Sequence, residues 1–232
     1  MQYKLQKNSS KRDSSQKHKD MKNLIATYVP GIENMPKQKI FDTLKGIERH
    51  EVNCLNWNEY PYAPQVGFHI AFSDKVIALL WEVTEDHVRA VSLEDNGPVW
   101  EDSCVEFFVD DPNSPEYFNF EMNCIGTLLA SKRRSRSDGD HFGPEKMGII
   151  RNFGSLEHKV IDNQEANQKW WRVTLIPFSV IGQNEVPASL RCNFYKCGDN
   201  CARPHYLSWT QIGTPEPNFH CLEFFGEVLF TR

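Results

Sequence analysis

Two carboxylates, a carboxamide and an indole near the middle of the chain stand at spacings that could do chemistry. In VWEDSCVEFFVDD (residues 99–111) an extended strand turns Val105, Phe107 and Val109 to one face and Cys104, Glu106, Phe108 and Asp110 to the other. In EYFNFEMN the same alternation sends Phe118, Phe120 and Met122 inward and Tyr117, Asn119, Glu121 and Asn123 outward. Paired as a hairpin, the two segments put Glu106, Asn119 and Glu121 on one polar face. Trp100 lies in the Gly-Pro turn ahead of the first strand, where no period of two buries it. Carboxylates and a carboxamide beside an indole are the chemistry of sugar binding. The C–H face of a pyranose stacks on the ring, and its hydroxyls exchange hydrogen bonds with the polar groups. A solvated sheet face with Trp100 capping the sandwich edge uses the same residues, and periodicity does not choose between the two.

Other constellations carry other chemistries. Glycoside hydrolysis needs two carboxyl groups flanking the scissile bond, one held protonated. Glu106 and Glu121 are the alternative reading as a glycoside hydrolase or accessory enzyme of polysaccharide breakdown. On an exposed face neither would be desolvated, which is poor for a general acid. Cys192, Cys197, Cys201 and His205 have the composition of a zinc site but not its spacing, and Cys192 and Cys197 fall on opposite faces of a strand. Calcium is the candidate ion, with oxygen ligands in Glu94, Asp95, Asp110, Asp111 and Asn113, residues that turn formation also explains. Met122 is the axial candidate for haem, yet its strand face predicts core. His69 and His87 read as surface positions, and His141 and His220 as loop positions.

These residues need strands to hold them, and from residue 51 onward the chain is built of short ones. VGFHIAFS alternates cleanly; KVIALLWEV is apolar on both faces, as an inner strand is. GTLLASK, LEHKVI, KWWRVTLI, LRCNFYKC, HYLSW and EVLF follow, with a polar loop over 135–143. Helical periodicity occurs only in KQKIFDTLKGIER (37–49). The expected fold is all-β: a β-sandwich of jelly-roll or immunoglobulin-like character with a short N-terminal helix. With 40% hydrophobic and 25% charged residues among 232, the composition is that of a folded domain. No apolar run approaches the length of about 18 residues that a membrane span requires.

Residues 1–22 hold seven Lys/Arg against two Asp, so the remainder of a chain of formal charge −5 is strongly acidic. A disordered basic tail (1–22) on a single domain (23–232) is expected, and the acidic body argues against nucleic acid as the partner. Seven cysteines, an odd number, and an N-terminal stretch without an apolar core predict free thiols and a cytoplasmic location.

VWEDSCVEFFVD, the YFNFEMN strand, NWNEYPYAP (56–64) and the closing LSWTQIGTPEPNFHCLEFFGEVLF together resemble the family 9 carbohydrate-binding modules, in particular the stand-alone family 9-like proteins of gut Bacteroidetes. The likeness runs from about residue 24 to the end. It implies a jelly-roll sandwich, calcium in several members, and a mono- or oligosaccharide held without catalysis between two aromatic rings. Carried over, the first ring is Trp100 and the acidic reader Glu106. The second ring, a tryptophan in xylanase-attached modules, falls on Phe219. An arginine of the family site falls near Asn119, so the guanidinium is missing at that position.

Overall fold

The computed structural model describes residues 22–111 and 113–232, with the side chains of 163–166 left aside. The basic tail expected over 1–22 lies outside the described residues, apart from Lys22.

The described chain forms strands β1 (Asn23–Tyr28), β2 (His50–Glu51), β3 (Cys54–Leu55), β4 (Gln65–Phe72), β5 (Val76–Ala90), β6 (Cys104–Asp110), β7 (Tyr117–Asn123), β8 (Leu128–Arg133), β9 (Gly139–His141), β10 (Arg151–Gly154), β11 (Ile161–Pro177), β12 (Ser189–Cys197), β13 (Tyr206–Ser208) and β14 (Gly226–Phe230). Helices α1 (Lys37–Lys45) and α2 (Pro144–Ile149) complete the regular elements apart from single 3-10 turns. The architecture is a two-sheet β-sandwich. The front sheet runs β14-β12-β6-β7-β8-β9 and the back sheet β10-β11-β5-β4. They are joined through β1, which pairs parallel with β14 over its first four residues and parallel with β4 at Thr27 and Tyr28.

Alternation explains the layers. Val66, Phe68, Ile70 and Phe72 of β4 and Ile77, Leu79, Trp81 and Val83 of β5 face the core between the sheets. There Phe68 stacks on Phe194 at 3.8 Å, and Phe107 on Phe194 at 5.0 Å. The other face of β5 carries Val76, Ala78 and Leu80, and α1 covers it with Ile40 and Leu44, one helical turn apart. That cover also buries His69, which was expected at the surface. Its ring bridges the Ile47 carbonyl (2.9 Å) and Glu82 (3.0 Å).

Two further sequence expectations fail here. LEHKVI is no strand before its last residue: residues 155–160 are bends and irregular backbone, and the pairing segment is β10, against a 17-residue β11 that follows β5 from Ala90 to Val76. The outward face of β6 and β7 is also not solvated. Phe108, Tyr117, Leu129 and Tyr195 on that face hold apolar surface that water does not stabilise, and Trp57, Ile212, Phe219 and Phe225 from loops and turns cover it in a second core.

Candidate functional site

That cover is incomplete, and the gap is a cavity of about 190 Å³. Its floor is the hairpin anticipated from spacing. Glu106 of β6 and Glu121 of β7 are direct cross-strand partners, and both line the cavity while staying almost wholly buried. The Cys197 thiol, on β12, donates to Glu106 Oε1 at 3.0 Å. Asn119 Nδ2 donates to Glu121 Oε1 at 2.6 Å, and Glu121 Oε2 is buried with no hydrogen-bond partner among the described residues. Asn119 itself is fully buried and does not line the cavity. It was expected to read the ligand, but it holds Glu121 in place instead.

The walls come from turns tied to the sheet. Trp100 sits in a 3-10 turn (Val99–Glu101) that buried Val99 anchors, leaving the indole 37% exposed at the cavity. Asp102 fixes the end of that turn: its carboxylate accepts from the Val91 and Ser92 amides, Asn123 Nδ2 and Arg89 Nη1. The loop after β12 binds the same turn, with the Asp199 amide donating to the Trp100 carbonyl at 3.1 Å. On another side Phe219 stacks on Tyr195 at 4.2 Å and 10°, and the Tyr195 hydroxyl donates to the Phe219 carbonyl. Trp100, Glu106, Glu121 and Phe219 thus meet in one cavity, as four of the five residues expected to bind ligand.

Sequence reasoning missed Arg133, Arg136, Asp199, Tyr206 and His220, which line the same space. Arg133 was legible, since β8 continues the polar face by one strand: Ser131 pairs with Asn119, and Arg133 lies two residues on. Arg133 Nε donates to Asn119 Oδ1 at 3.2 Å, so a guanidinium missing at position 119 enters from the neighbouring strand. Asp199 follows β12 in a turn whose sequence, GDN, says only that it bends.

Burial governs the charges. It pushes the Glu106 carboxyl well above its usual range, and nearby Glu121 pushes it further. It lifts Glu121 to about 7, against the pull of Asn119 and Arg133. Two like charges facing each other in a buried floor are not both ionised, so the pair retains a proton at neutral pH. Burial also lifts Asp199 to about 6, opposed by Arg136, and lowers His220 to about 3, helped by Arg133 and Arg136, which keeps that imidazole neutral. The sequence-based objection that neither glutamate would be desolvated is therefore overturned, because the second core was not foreseen.

The metal sets weighed from the sequence do not assemble. Cys192 lies in the core between the sheets, Cys201 meets Ser103, and His205 meets Lys196. Among the calcium candidates, Asp95 accepts from the Leu128 amide, Asp110 from the Arg191 amide, and Asp111 from the Asn113 amide and Lys132. Those oxygens are engaged separately, and among the described residues the carboxylates of the set form no convergent group that would hold calcium. Met122 is buried, and its sulfur accepts from the Thr174 hydroxyl, which leaves no open axial position for haem.

Compared with known proteins, residues 37–230 match the family model described as carbohydrate-binding family 9. The chain belongs to that family. The family 9 fold is also seen in similar solved structures. One, from Bacteroides uniformis ATCC 8492, is described as a candidate carbohydrate-binding protein; it is 37% identical, with a TM-score of 0.85, over 91% of this chain and all of that one. A family 9 module of Caldicellulosiruptor kristjanssonii in complex with glucose is 11% identical, with a TM-score of 0.60, over 90% of this chain and 96% of that one. The same organism's module in complex with cellotriose is 12% identical, again at 0.60, over 90% and 93%. No curated protein matches the chain.

Proposed function

We propose that this family 9 domain binds carbohydrate without catalysis, taking one sugar ring of a mono- or oligosaccharide into the cavity. The observation that carries the reading is the pairing of an unsatisfied, buried Glu121 Oε2 with an exposed indole at the same cavity. A buried oxygen without a partner costs free energy that a ligand hydroxyl recovers. Trp100 supplies the main stacking surface and Phe219 the edge of a second. The Glu106–Glu121 pair, holding one proton between them, can both donate to and accept from hydroxyls, and Arg133 and Arg136 donate. Two guanidinium charges face Asp199 and a partly protonated glutamate pair, so charges of both signs line the cavity. That balance favours a neutral sugar over an acidic one, in keeping with the glucose and cellotriose held by the Caldicellulosiruptor module.

The rival reading is a glycosidase using Glu106 and Glu121. Its acid requirement is met, since burial keeps a proton on the pair. Its geometry is not: both carboxyl groups rise from one sheet face, so a sugar above them meets both from the same side, whereas hydrolysis needs them on either side of the bond. Calorimetric titration with glucose and cello-oligosaccharides, alongside a product assay on the same sugars, tests both readings. Saturable heat without product is expected. Silence across a broad panel of neutral sugars would sink the binding reading, and turnover lost in Glu121→Gln would establish the enzyme.

A further inference from the structure

Beneath the same cavity two thiols and a carboxylate converge. Cys104 of β6 and Cys197 of β12 are direct cross-strand partners, and Glu106 lies two residues beyond Cys104 on the same face. One ligand atom from each, Sγ, Sγ and a carboxylate oxygen, lies within 4.8 Å of the other two. We propose that Cys104, Cys197 and Glu106 form a binding site for a soft divalent cation of the zinc and cadmium class, with Glu121 Oε2 or a small molecule from the cavity as the fourth ligand.

Geometry and chemistry agree on this. A tetrahedral ion with bonds of about 2.3 Å to sulfur and 2.0–2.2 Å to oxygen sets its ligands somewhat under 4 Å apart, so small side-chain rotations close the site. Cys197 Sγ and Glu106 Oε1 already stand 3.0 Å apart. Two thiolates select a soft ion over calcium or magnesium. All three side chains are buried, and Arg133 directs its Nε to Asn119. Glu121 Oε2, buried and unpartnered, is the independent sign that the floor is one ligand short. Entry is open, because Cys197, Glu106 and Glu121 line the cavity. On binding, each thiol loses its proton to the buffer and forms one metal–sulfur bond; Glu106 binds as the carboxylate, releasing any proton it carries. Nothing is oxidised or reduced.

The test is titration of fully reduced, chelator-treated protein with Cd²⁺ alone, following the ultraviolet cadmium–thiolate charge-transfer band. One equivalent per chain should saturate it. Cys104→Ser and Cys197→Ser should each abolish that tight phase. Glu106→Gln, which keeps both thiols, should weaken it by more than about tenfold. Cys192→Ser, a buried thiol on the opposite face of β12, should leave it unchanged. Absence of the band in wild-type protein, or its survival in both Cys104→Ser and Cys197→Ser, would overturn the site. If the serine variants do not fold by circular dichroism, unchanged Cd²⁺ affinity in Glu106→Gln overturns it instead. No sugar enters the experiment, so the result stands apart from the carbohydrate reading.

Discussion

Strand β12 carries two buried polar clusters back to back. Lys196 points between the sheets, while its neighbours Tyr195 and Cys197 belong to the cavity side. On the inner side the buried charges are matched, Lys196 against Glu85. The Lys196 ammonium forms an ion pair with Glu85 Oε2 (3.0 Å) and hydrogen-bonds to His205 Nε2 (2.7 Å) and the Cys197 carbonyl (2.9 Å). Trp170 Nε1 donates to Glu85 Oε1 at 2.6 Å, and His205 Nδ1 donates to the Arg203 carbonyl. Burial works to lower Lys196, but Glu85 beside it wins and holds the ammonium above its usual range. Burial and Lys196 together depress His205 well below its own. On the cavity side two glutamates face each other, one oxygen has no partner, and both carboxyl groups are raised. The difference separates a polar network that closes on itself and fixes structure from one left open toward a ligand.

The same conservative change should therefore act in opposite directions at the two clusters. Glu85→Gln leaves a fully buried ammonium without its counter-charge and should cost about 3–5 kcal/mol in denaturant unfolding. A loss under about 1 kcal/mol would mean that the inner network is not the closed unit described here. On the open side, Trp100→Ala should lower sugar affinity by about 1–3 kcal/mol, as a stacking aromatic does. It should cost less stability than a core tryptophan truncation, which is about 3–5 kcal/mol. Unfolding on that substitution would make the indole a structural cap.

Glu121→Gln should raise stability by roughly 1 kcal/mol while weakening sugar binding, because it removes one of two opposed buried acids but keeps the contact with Asn119. If it destabilises as Glu85→Gln does, the contrast between the clusters is lost. The smallest effect belongs to His220. Its folded pKa, about 3, lies below the unfolded value, so the unfolded state takes up the proton first as pH falls. Wild-type stability should drop relative to His220→Asn between pH 6.5 and 3 and match its offset above pH 7. Parallel melting curves across that range would show the imidazole to be solvated.

Much of the open cluster was legible because strand alternation is local. Val105, Phe107 and Val109 facing the core, and Glu106 opposite Glu121, follow from a period of two and one hairpin. Whether that face meets water does not, because its cover comes from Trp57 and from residues 212–225, far away in sequence. Asn119 was misjudged for that reason: a carboxamide on an outward face reads as a contact residue until a second layer seals it. Arg133 lay within reach of the same alternation, but the strand was read as GTLLASK, which stops one residue short of it. The inner network was scarcely visible. Lys196 and Glu85 are charged residues in strands, and His205 drew attention only beside cysteines that turned out to point elsewhere. A closed ionic network is a property of tertiary pairing, and no spacing rule announces it.

Strand β1 also makes the domain a mechanical clasp. It pairs in parallel with β14, with Asn23 opposite Glu227 and Ala26 opposite Phe230. Tension entering at Asn23 and leaving at Phe230 pulls the two strands lengthwise past each other, so their hydrogen bonds are loaded together and not peeled one by one. The strand that joins the two sheets is thus also the one that bears the load. Single-molecule pulling from these two points should need a higher force than pulling the β6–β7 hairpin apart from its open end, where the bonds fail in sequence.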